Sequence, residues 1–113
     1  MTDFDALYRQ HSDPWQIRSS WYERRKRELL LACLPKEHYR KTLELGCGTG
    51  EMTAQLAQRS TTVHAVDLSS IALQRCHQHL KAMGIHNVHT SCVRVPEVWP
   101  IKEPCEFDLL VVS

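Results

Sequence analysis

One short segment of the sequence combines glycines with a carboxylate in an order that suits ligand binding. It reads Leu43-Glu44-Leu45-Gly46-Cys47-Gly48-Thr49-Gly50, an apolar strand-like run that ends in three alternating glycines. A glycine turn between a strand and a helix lets a ligand approach the backbone, because no Cβ intervenes and positive φ costs little. The free N–H groups that open the next helix favour electron-rich ligand atoms. The segment therefore predicts a ligand-binding turn.

A second carboxylate, Asp67, ends the β-branched run at residues 61–66. It lies about twenty residues past the first glycine, the spacing that a carboxylate needs to hold the hydroxyls of a ribose. The glycines follow Gly-x-Gly-x-Gly rather than the dinucleotide pattern Gly-x-Gly-x-x-Gly, whose last position here is Glu51. These two features predict a nucleoside ligand other than a dinucleotide.

Glu44 narrows the choice of ligand, because it lies in an otherwise apolar strand two residues before the first glycine. A buried carboxylate is costly unless it is paired. It would repel a pyrophosphate, but it can attract an ammonium group directly or through the neighbouring backbone. S-adenosylmethionine (SAM) has no phosphate and carries a sulfonium, an amino-acid end and an adenosine, so it suits this segment. The alternative is that Glu44 is simply exposed at a strand end.

Strands and helices alternate around the glycine segment. The pattern predicts strands at 42–45, 61–66, 88–93 and 107–112, and helices at 51–59 and from Ser69 or Ser70 to the C-cap Gly84. This order implies right-handed crossovers and a parallel sheet, which is an α/β fold. The last strand is apolar enough to be buried on both faces.

The first 40 residues are predicted to form a helical cap on a Rossmann-like core at 41–113, within one partial domain. Ser20 and Glu23 have capping-box spacing, and the helix that follows them ends at Pro35. A shorter helix is expected at 3–10. A complete doubly wound domain has more strands, so we expect the remaining ones to lie beyond Ser113.

Composition and charge exclude several classes of function. The 113 residues are 42% apolar and 24% charged with a net charge of +1, which is ordinary for a soluble domain and gives no sign of a nucleic-acid partner. No apolar run reaches membrane-spanning length and the start of the chain is not signal-like, so a cytoplasmic protein is expected.

The cysteines and histidines are expected to serve neither disulfides nor metals. The five cysteines are odd in number and lack Cys-x-x-Cys spacing, so we expect reduced and mostly buried thiols. His86-x-x-His89-x-x-Cys92 is expected to bind no metal, because alternate side chains of a strand face opposite ways.

The motifs resemble those of one enzyme superfamily. Residues 44–50 resemble motif I of the class I SAM-dependent methyltransferases, 66–69 resemble their second motif, and 107–113 resemble their fourth strand. More particularly, Asp13-Pro14-Trp15, residues 20–27 and residues 95–100 are similar to the nodulation protein S (NodS) type of N-methyltransferase. The resemblance implies a Rossmann-like class I methyltransferase fold, with N-terminal helices on a parallel sheet and the C-terminal strands missing.

The resemblance also implies roles for single residues. Gly46, Gly48 and Gly50 would line the methionine and ribose portions of SAM, Asp67 would bind the ribose hydroxyls, and Leu68 would pack on the adenine. Trp15 and Tyr22 either cover the cofactor as lid residues or anchor the helix on the sheet. The cofactor-binding residues expected are Glu44, Gly46, Cys47, Gly48, Gly50, Asp67, Leu68, Trp15 and Tyr22.

At two segments of the sequence, the roles of the family's residues cannot simply be transferred to this chain. Many class I enzymes place an acidic residue after the third strand, facing the adenine, where this chain has Cys92, Val93 and Arg94. The four basic residues at 24–27 are expected to form a solvated face, with a contact from one of them to the SAM carboxylate as the less common alternative.

The expected reaction is an in-line displacement in which an acceptor attacks the activated methyl group. NodS-type enzymes methylate the amine of a deacetylated glucosamine at the end of a chito-oligosaccharide, so the resemblance implies an amino sugar or related amine as acceptor. The alternatives are an NAD-dependent oxidoreductase, another enzyme of the SAM fold such as an aminopropyltransferase, and a non-catalytic SAM-binding fragment. The 113-residue chain alone is expected to bind SAM weakly or not at all and not to turn over, because its sheet has an uncovered edge.

Overall fold

The chain folds into a parallel sheet whose strands are connected by helices. The computed structural model describes residues 3–10, 20–93 and 106–113. The strands pair in the order β3-β2-β1-β4, all in parallel, which confirms the predicted α/β, Rossmann-like fold. In chain order the elements are α1 (Phe4–Gln10), α2 (Trp21–Cys33), β1 (Tyr39–Leu45), α3 (Glu51–Gln58), β2 (Ser60–Asp67), α4 (Ser70–Ala82), β3 (Val88–Cys92) and β4 (Leu109–Val112).

β1 lies at the point where the strand order reverses. β2 and β3 follow on one side of it and β4 pairs with its other side. Leu45, the last residue of β1, is in register with Val66 of β2 and Val112 of β4. The carboxyl ends of three strands therefore meet at one edge. In open α/β sheets this is where ligands bind.

Two clusters of buried apolar side chains hold the helices to the sheet. Burial of a leucine or valine side chain contributes about 1.5–3 kcal/mol, so these clusters supply much of the stability. The first cluster joins α3, α4 and β2 to the glycine turn (residues 46–50), and the second joins α3, β2 and β4. The first contains Cys47, Ala54, Ala65, Leu73, Cys76 and Leu80; the second contains Met52, Leu56, Ala57, Val63 and Val111, with Leu30, Leu31 and Leu34 of α2 packed against it.

Hydrogen bonds fix both ends of α2. At its start the Ser20 hydroxyl accepts from the backbone N–H of Glu23 at 3.3 Å, as the capping-box spacing predicts. At its end the Arg59 guanidinium donates to the carbonyl of Leu31 at 2.6 Å and to those of Lys36 and Glu37. Because Arg59 follows α3, these bonds tie α2 to the core.

The outer strands differ from their sequence predictions. β4 begins at Leu109 rather than 107, because the Asp108 carboxylate accepts from the backbone N–H groups of Arg40 and Lys41 at 2.9 and 2.8 Å. The prediction that this strand is buried on both faces is wrong. Val111 is buried, but Val112 is 70% exposed, since no element in the described ranges covers that face.

The four described cysteines form no disulfide with one another, and only half of them are buried. Cys47 and Cys76 lie in the core, whereas Cys33 and Cys92 are exposed, so the expectation of mostly buried thiols is wrong for this second pair. Both exposed thiols lie at element ends, where a side chain has neighbours on one side only. Cys105 lies outside the described residues.

The described residues contain neither a cluster of metal ligands nor a membrane-spanning helix. Across 3–10, 20–93 and 106–113, no group of three or more His, Cys, Asp or Glu side chains could hold a metal ion. Of the helices in the same part of the chain, none has the length and apolar character that crossing a bilayer requires.

Alanine at Gly50 is expected to destabilise the fold more than alanine at Gly84. Both glycines have positive φ, 95° and 71°, so each substitution carries about 1 kcal/mol of backbone strain. A Cβ on Gly50 would lie 2.7 Å from the Cys76 Sγ atom, whereas nothing lies within 4 Å of one on Gly84. Overpacking adds about 1–3 kcal/mol at Gly50 alone. Urea unfolding measures both variants, and equal losses of unfolding free energy would refute the close contact with Cys76.

Candidate functional site

A cavity of about 710 Å³ opens where β1, β2 and β4 end, and we call it the strand-end cavity. Its volume lies in the range of small-molecule sites. The strand side is formed by the glycine turn, by Asp67 and Leu68 after β2, and by Val112 and Ser113 after β4. The helix side is formed by residues of α1 and α2. The cavity therefore lies at the edge of the sheet where the strand order predicts a ligand site.

Backbone geometry explains why the turn needs glycine at its first two glycine positions. Gly46 and Gly48 have φ of 78° and 56°. The N–H groups of Gly46 and Cys47 both donate to the carbonyl of Val66, at 2.8 and 3.1 Å. A Cβ on Gly46 would lie 3.0 Å from the Ser113 carbonyl oxygen, and one on Gly48 would lie 3.3 Å from the Tyr8 hydroxyl. The turn therefore presents backbone, rather than side chains, to a ligand.

Asp67 is held beside this turn by two hydrogen bonds. Its Oδ2 atom accepts from the backbone N–H of Gly48 at 2.8 Å, and its Oδ1 atom accepts from that of Ser69 at 3.0 Å. Each carboxylate oxygen can accept a second bond, and Asp67 lines the cavity. The structure thus brings the predicted turn and the predicted carboxylate together, in an arrangement that can hold two neighbouring hydroxyls.

Glu44 lies beneath the cavity rather than in its lining. Its side chain is 0% exposed, so the alternative of an exposed glutamate is wrong. The hydroxyls of Thr53 and Ser113 donate to its two oxygens, the latter at 2.6 Å. Burial raises the pKa of Glu44 above its ordinary value, and these two hydrogen bonds oppose the rise. Ser113 lines the cavity, so it connects the buried carboxylate to the site.

Gly50 and Cys47 differ in what they do at the turn. Gly50 lies outside the cavity lining, contrary to the prediction, because its Cα faces the Cys76 side chain and its role is close packing of α3 on α4. Cys47 does line the cavity. Its hydrogen bond with Cys76 and its burial raise the pKa of the Cys47 thiol, so the thiol is uncharged and a poor nucleophile.

Of the two aromatic residues predicted for the helix side, the structure describes Tyr22 alone and places it outside the cavity lining. Tyr22 is 66% exposed and lies outside the cavity, and Trp15 lies outside the described residues. Phe4 and Tyr8 of α1 line the cavity in their place. Phe4 and Tyr8 are spaced i, i+4 on a predicted helix and therefore share one face. This spacing is the feature of the sequence that could have identified them as a pair.

Contacts to α4 hold α1 beside the part of the cavity that Asp67 lines. The Asp5 carboxylate accepts a hydrogen bond from the Ser69 hydroxyl, and Ser69 caps α4 by accepting from the N–H of Ala72 at 3.1 Å. The Arg75 guanidinium lies 5.9 Å from the centre of the Tyr8 ring, which is a cation–π distance. Both contacts place the buried Tyr8 hydroxyl near Gly48.

α2 contributes a mainly charged stripe to the cavity, which we call the α2 stripe. Its members are spaced at i, i+3, i+4 and i+7, the spacing of one helical face: Glu23, Lys26, Arg27 and Leu30. The predicted solvated basic face at 24–27 holds for Lys26, whose side chain is 62% exposed although it lines the cavity, whereas Arg27 is half-buried. The Lys26 ammonium lies 3.6 Å from a carboxylate oxygen of Glu23.

Among the described residues next to β3, Val93 lines the cavity. Val93 and the 41% exposed Leu68 both line the cavity beside Asp67, so an apolar surface adjoins the carboxylate. Arg94 and the segment at 95–100 lie outside the described residues.

Comparisons with known proteins agree on one family. The family model for a methyltransferase domain matches residues 42–113. Nodulation protein S of Azorhizobium caulinodans is 26% identical over 98 residues, which are 86% of this chain and 42% of that protein. Protein-L-isoaspartate O-methyltransferase of Shewanella woodyi is 37% identical over 90 residues, which are 79% of this chain and 39% of that protein.

A solved structure shows the same fold. N-methyltransferase NodS from Bradyrhizobium japonicum WM9 in complex with S-adenosyl-L-homocysteine (SAH) is similar with a TM-score of 0.77 at 24% identity, over 93% of this chain and 53% of that one. The chain thus spans about half the length of that structure and less than half of each of the two curated relatives.

Replacing Glu44 with glutamine is expected to remove a pH dependence of stability. Below pH 4.5, the ordinary pKa of a glutamate, Glu44 is protonated in both states. Above it the unfolded chain ionises while the folded chain keeps the proton, because burial raises the folded-state pKa of Glu44. Wild type should therefore lose stability relative to Glu44→Gln, by up to about 1.4 kcal/mol for each pH unit, until the folded-state pKa is passed.

Glu106→Gln is the matched control for this measurement. The hydrogen bond from Lys41 lowers the pKa of Glu106, so its contribution has the opposite sign and is lost as pH falls. Urea unfolding of the three proteins from pH 4 upward gives the difference curves. A pH-independent difference between wild type and Glu44→Gln would show that Glu44 ionises normally in the fold.

Proposed function

This chain belongs to the methyltransferase domain family, and we propose that its strand-end cavity binds SAM as the cofactor site of a SAM-dependent methyltransferase. The observation that carries the proposal is the contact between the glycine turn and the carboxylate of Asp67, with 2.8 Å between Gly48 N and Asp67 Oδ2. This hydrogen bond supports the proposal because the Asp67 carboxylate, which would bind the ribose, lies directly beside backbone that a ligand can approach. The related NodS structure is a complex with SAH, which supports the same class of cofactor for this chain.

The residues that line the cavity suit each part of SAM: the ribose, the adenine, the sulfur and the methionine chain. Asp67 has acceptor capacity for two ribose hydroxyls, and Leu68 and Val93 beside it offer an apolar surface for the adenine. The glycine turn gives the sulfur and the methionine chain close approach to the backbone. These assignments use Gly46, Cys47 and Gly48 as cofactor-binding residues, with Glu44 acting from beneath them through Ser113.

A dinucleotide fits the same cavity poorly. Glu51 lines it at the start of α3, where a pyrophosphate would need N–H donors without a facing carboxylate. The hydroxyl of Thr49 donates to Glu51 at 2.7 Å, which keeps that carboxylate at the turn. The family match likewise does not favour an NAD-dependent oxidoreductase.

The chain's own residues would orient the cofactor and limit water. The cofactor supplies an activated methyl group, so the protein needs little chemistry of its own. Phe4 and Tyr8 of α1 line the cavity, with the Tyr8 hydroxyl next to Gly48 of the glycine turn.

For the methyl acceptor we propose the amine of an amino sugar or a chito-oligosaccharide. Support comes from the similarity to nodulation protein S, which extends over 86% of this chain and therefore beyond the part that the family model matches. The isoaspartate methyltransferase relative, at 37% identity, makes a carboxylate the second candidate acceptor. Since the chain spans less than half of either relative, the activity of the whole protein is part of the proposal.

Replacing Asp67 with asparagine is expected to weaken SAH binding by about tenfold or more, because a hydrogen bond to a charged group contributes about 1.5–3 kcal/mol. Asp108→Asn is the matched control. Its carboxylate also accepts two backbone N–H groups, but at the opposite end of β1 from the cavity. Saturation-transfer NMR, which detects weak binding, gives the affinities for SAH and for NADH. Equal affinities of the two variants for SAH, or tighter binding of NADH than of SAH to wild type, would contradict the proposed site.

The acceptor is tested separately with methyl-labelled SAM and the whole protein, since the 113 residues alone are expected not to turn over. We expect label to enter a glucosamine oligomer and not its fully N-acetylated counterpart, because only a free amine is nucleophilic. An isoaspartyl peptide is included as the competing acceptor. Label in the peptide alone, or equal label in both sugars, would reject the amine acceptor while leaving the cofactor site intact.

A further inference from the structure

β3 is an edge strand with one row of unpaired backbone groups. It pairs with β2 on one side, and no strand within residues 3–10, 20–93 and 106–113 pairs with its other side. The Asn87 carbonyl accepts from the Val63 N–H at 2.9 Å, so Asn87 and every second residue after it direct their backbone groups to β2. Alternate residues of a strand direct these groups to opposite edges. The groups that face outward are therefore those of Val88, Thr90 and Cys92.

A second cavity, of about 240 Å³, lies between α4 and the start of β3, and we call it the α4–β3 groove. Its buried or half-buried apolar residues are Leu80, Ile85 and Val88, and its exposed titratable residues are His77, Lys81 and His86. The His77 ring shares a hydrogen bond of 2.7 Å with the hydroxyl of Thr90, so it lies beside the free edge. The groove thus has an apolar floor and a rim that carries positive charge.

Few negative charges lie near this rim. From residue 68 to residue 96 the sequence contains no aspartate or glutamate, and this stretch includes all of α4 and β3. The other titratable side chains of α4, β3 and the adjoining β2 are Arg75, His79, His89, His64 and Asp67. Asp67, the one acid among them, lies at the opposite end of the sheet, in the lining of the strand-end cavity. Because histidine gains its charge near pH 6.5, the rim becomes more cationic as pH falls.

We propose that the β3 edge and the α4–β3 groove bind an extended acidic segment of a partner protein, which adds to the sheet as a strand beside β3. The outward backbone groups of β3 hold the segment through hydrogen bonds, and alternate side chains of the segment reach the groove. There its carboxylates meet His77, Lys81 and His86, which complement them in charge. The free edge favours a peptide over a nucleic acid, because only a peptide has N–H and C=O groups at strand spacing.

The binding surface is separate from the proposed cofactor site. Val88, which lines the groove, is the first residue of β3, whereas the strand-end cavity lies where the strands end. Changes in the groove are therefore expected to leave the affinity for SAH unchanged.

A peptide of alternating glutamate and threonine is the probe for this surface, and its glutamine–threonine counterpart is the neutral control. We expect the glutamate peptide to bind about fivefold more tightly at about pH 5.5 than at about pH 7.5, because two histidines at the rim gain charge. The neutral peptide should show no such change. Calorimetry or NMR titration gives the affinities, and the amide signals of Val88, Thr90 and Cys92 should shift on binding.

Variants of the groove identify the groups responsible. The double variant His77→Gln, His86→Gln should lose the pH dependence, whereas His38→Gln, which changes an exposed histidine outside the groove, should keep it. The double variant His77→Lys, His86→Lys carries both charges at either pH. It should bind the glutamate peptide equally well at both, which separates lost recognition from lost folding in the glutamine variant.

Four results would overturn the inference. They are equal binding of the glutamate and glutamine peptides, a pH dependence that survives in the double glutamine variant, undiminished binding of a peptide whose backbone nitrogens are methylated, and tighter binding of single-stranded DNA than of the glutamate peptide. The third would exclude strand addition, and the fourth would make the surface one for nucleic acid. Because SAH binding is measured on the same variants, each of these results leaves the proposed cofactor site standing.

Discussion

The hydrogen bond from Gly48 N to the Asp67 carboxylate is the contact on which the site depends. It joins the turn after β1 to the end of β2, and the two bonds from Gly46 and Cys47 to the Val66 carbonyl hold the same junction. Both are possible because β1 and β2 are parallel and end in register, Leu45 beside Val66. The turn after β1 is aligned with the end of β2 by the parallel sheet, by its crossover helix α3 and by the positive φ of Gly46 and Gly48.

Beneath the junction, a buried carboxylate connects three elements. Glu44 of β1 accepts from Thr53 of α3 and from Ser113 after β4. Two hydroxyl donors offset part of the cost of burial, yet the pKa of Glu44 remains raised by that burial. A cationic ligand above the turn would favour the ionised form, which gives the buried group a reason to be a carboxylate rather than an amide.

Local features were predictable from the sequence, and features set by docking were not. The turn, Asp67 and the caps at Ser20 and Ser69 follow from spacing within one strand–turn–helix unit, so they were predicted correctly. The contact of Gly50 with Cys76 joins residues that are far apart in the chain and leaves no local pattern. The exposure of Val112 likewise depends on which elements cover the strand.

The helix side of the cavity shows the same limit of prediction from sequence. Periodicity predicted α1 and α2, but the angle at which a helix docks decides which residues reach the cavity, and Tyr22 lies outside it while Tyr8 lines it. The family model matches residues 42–113 and so includes the turn and Asp67 but neither helix. Members that share the strand side can thus share a cofactor and differ in the residues that cover it. Both helices lie outside the segment that the family model matches, whereas the 98-residue similarity to nodulation protein S is long enough to include α2.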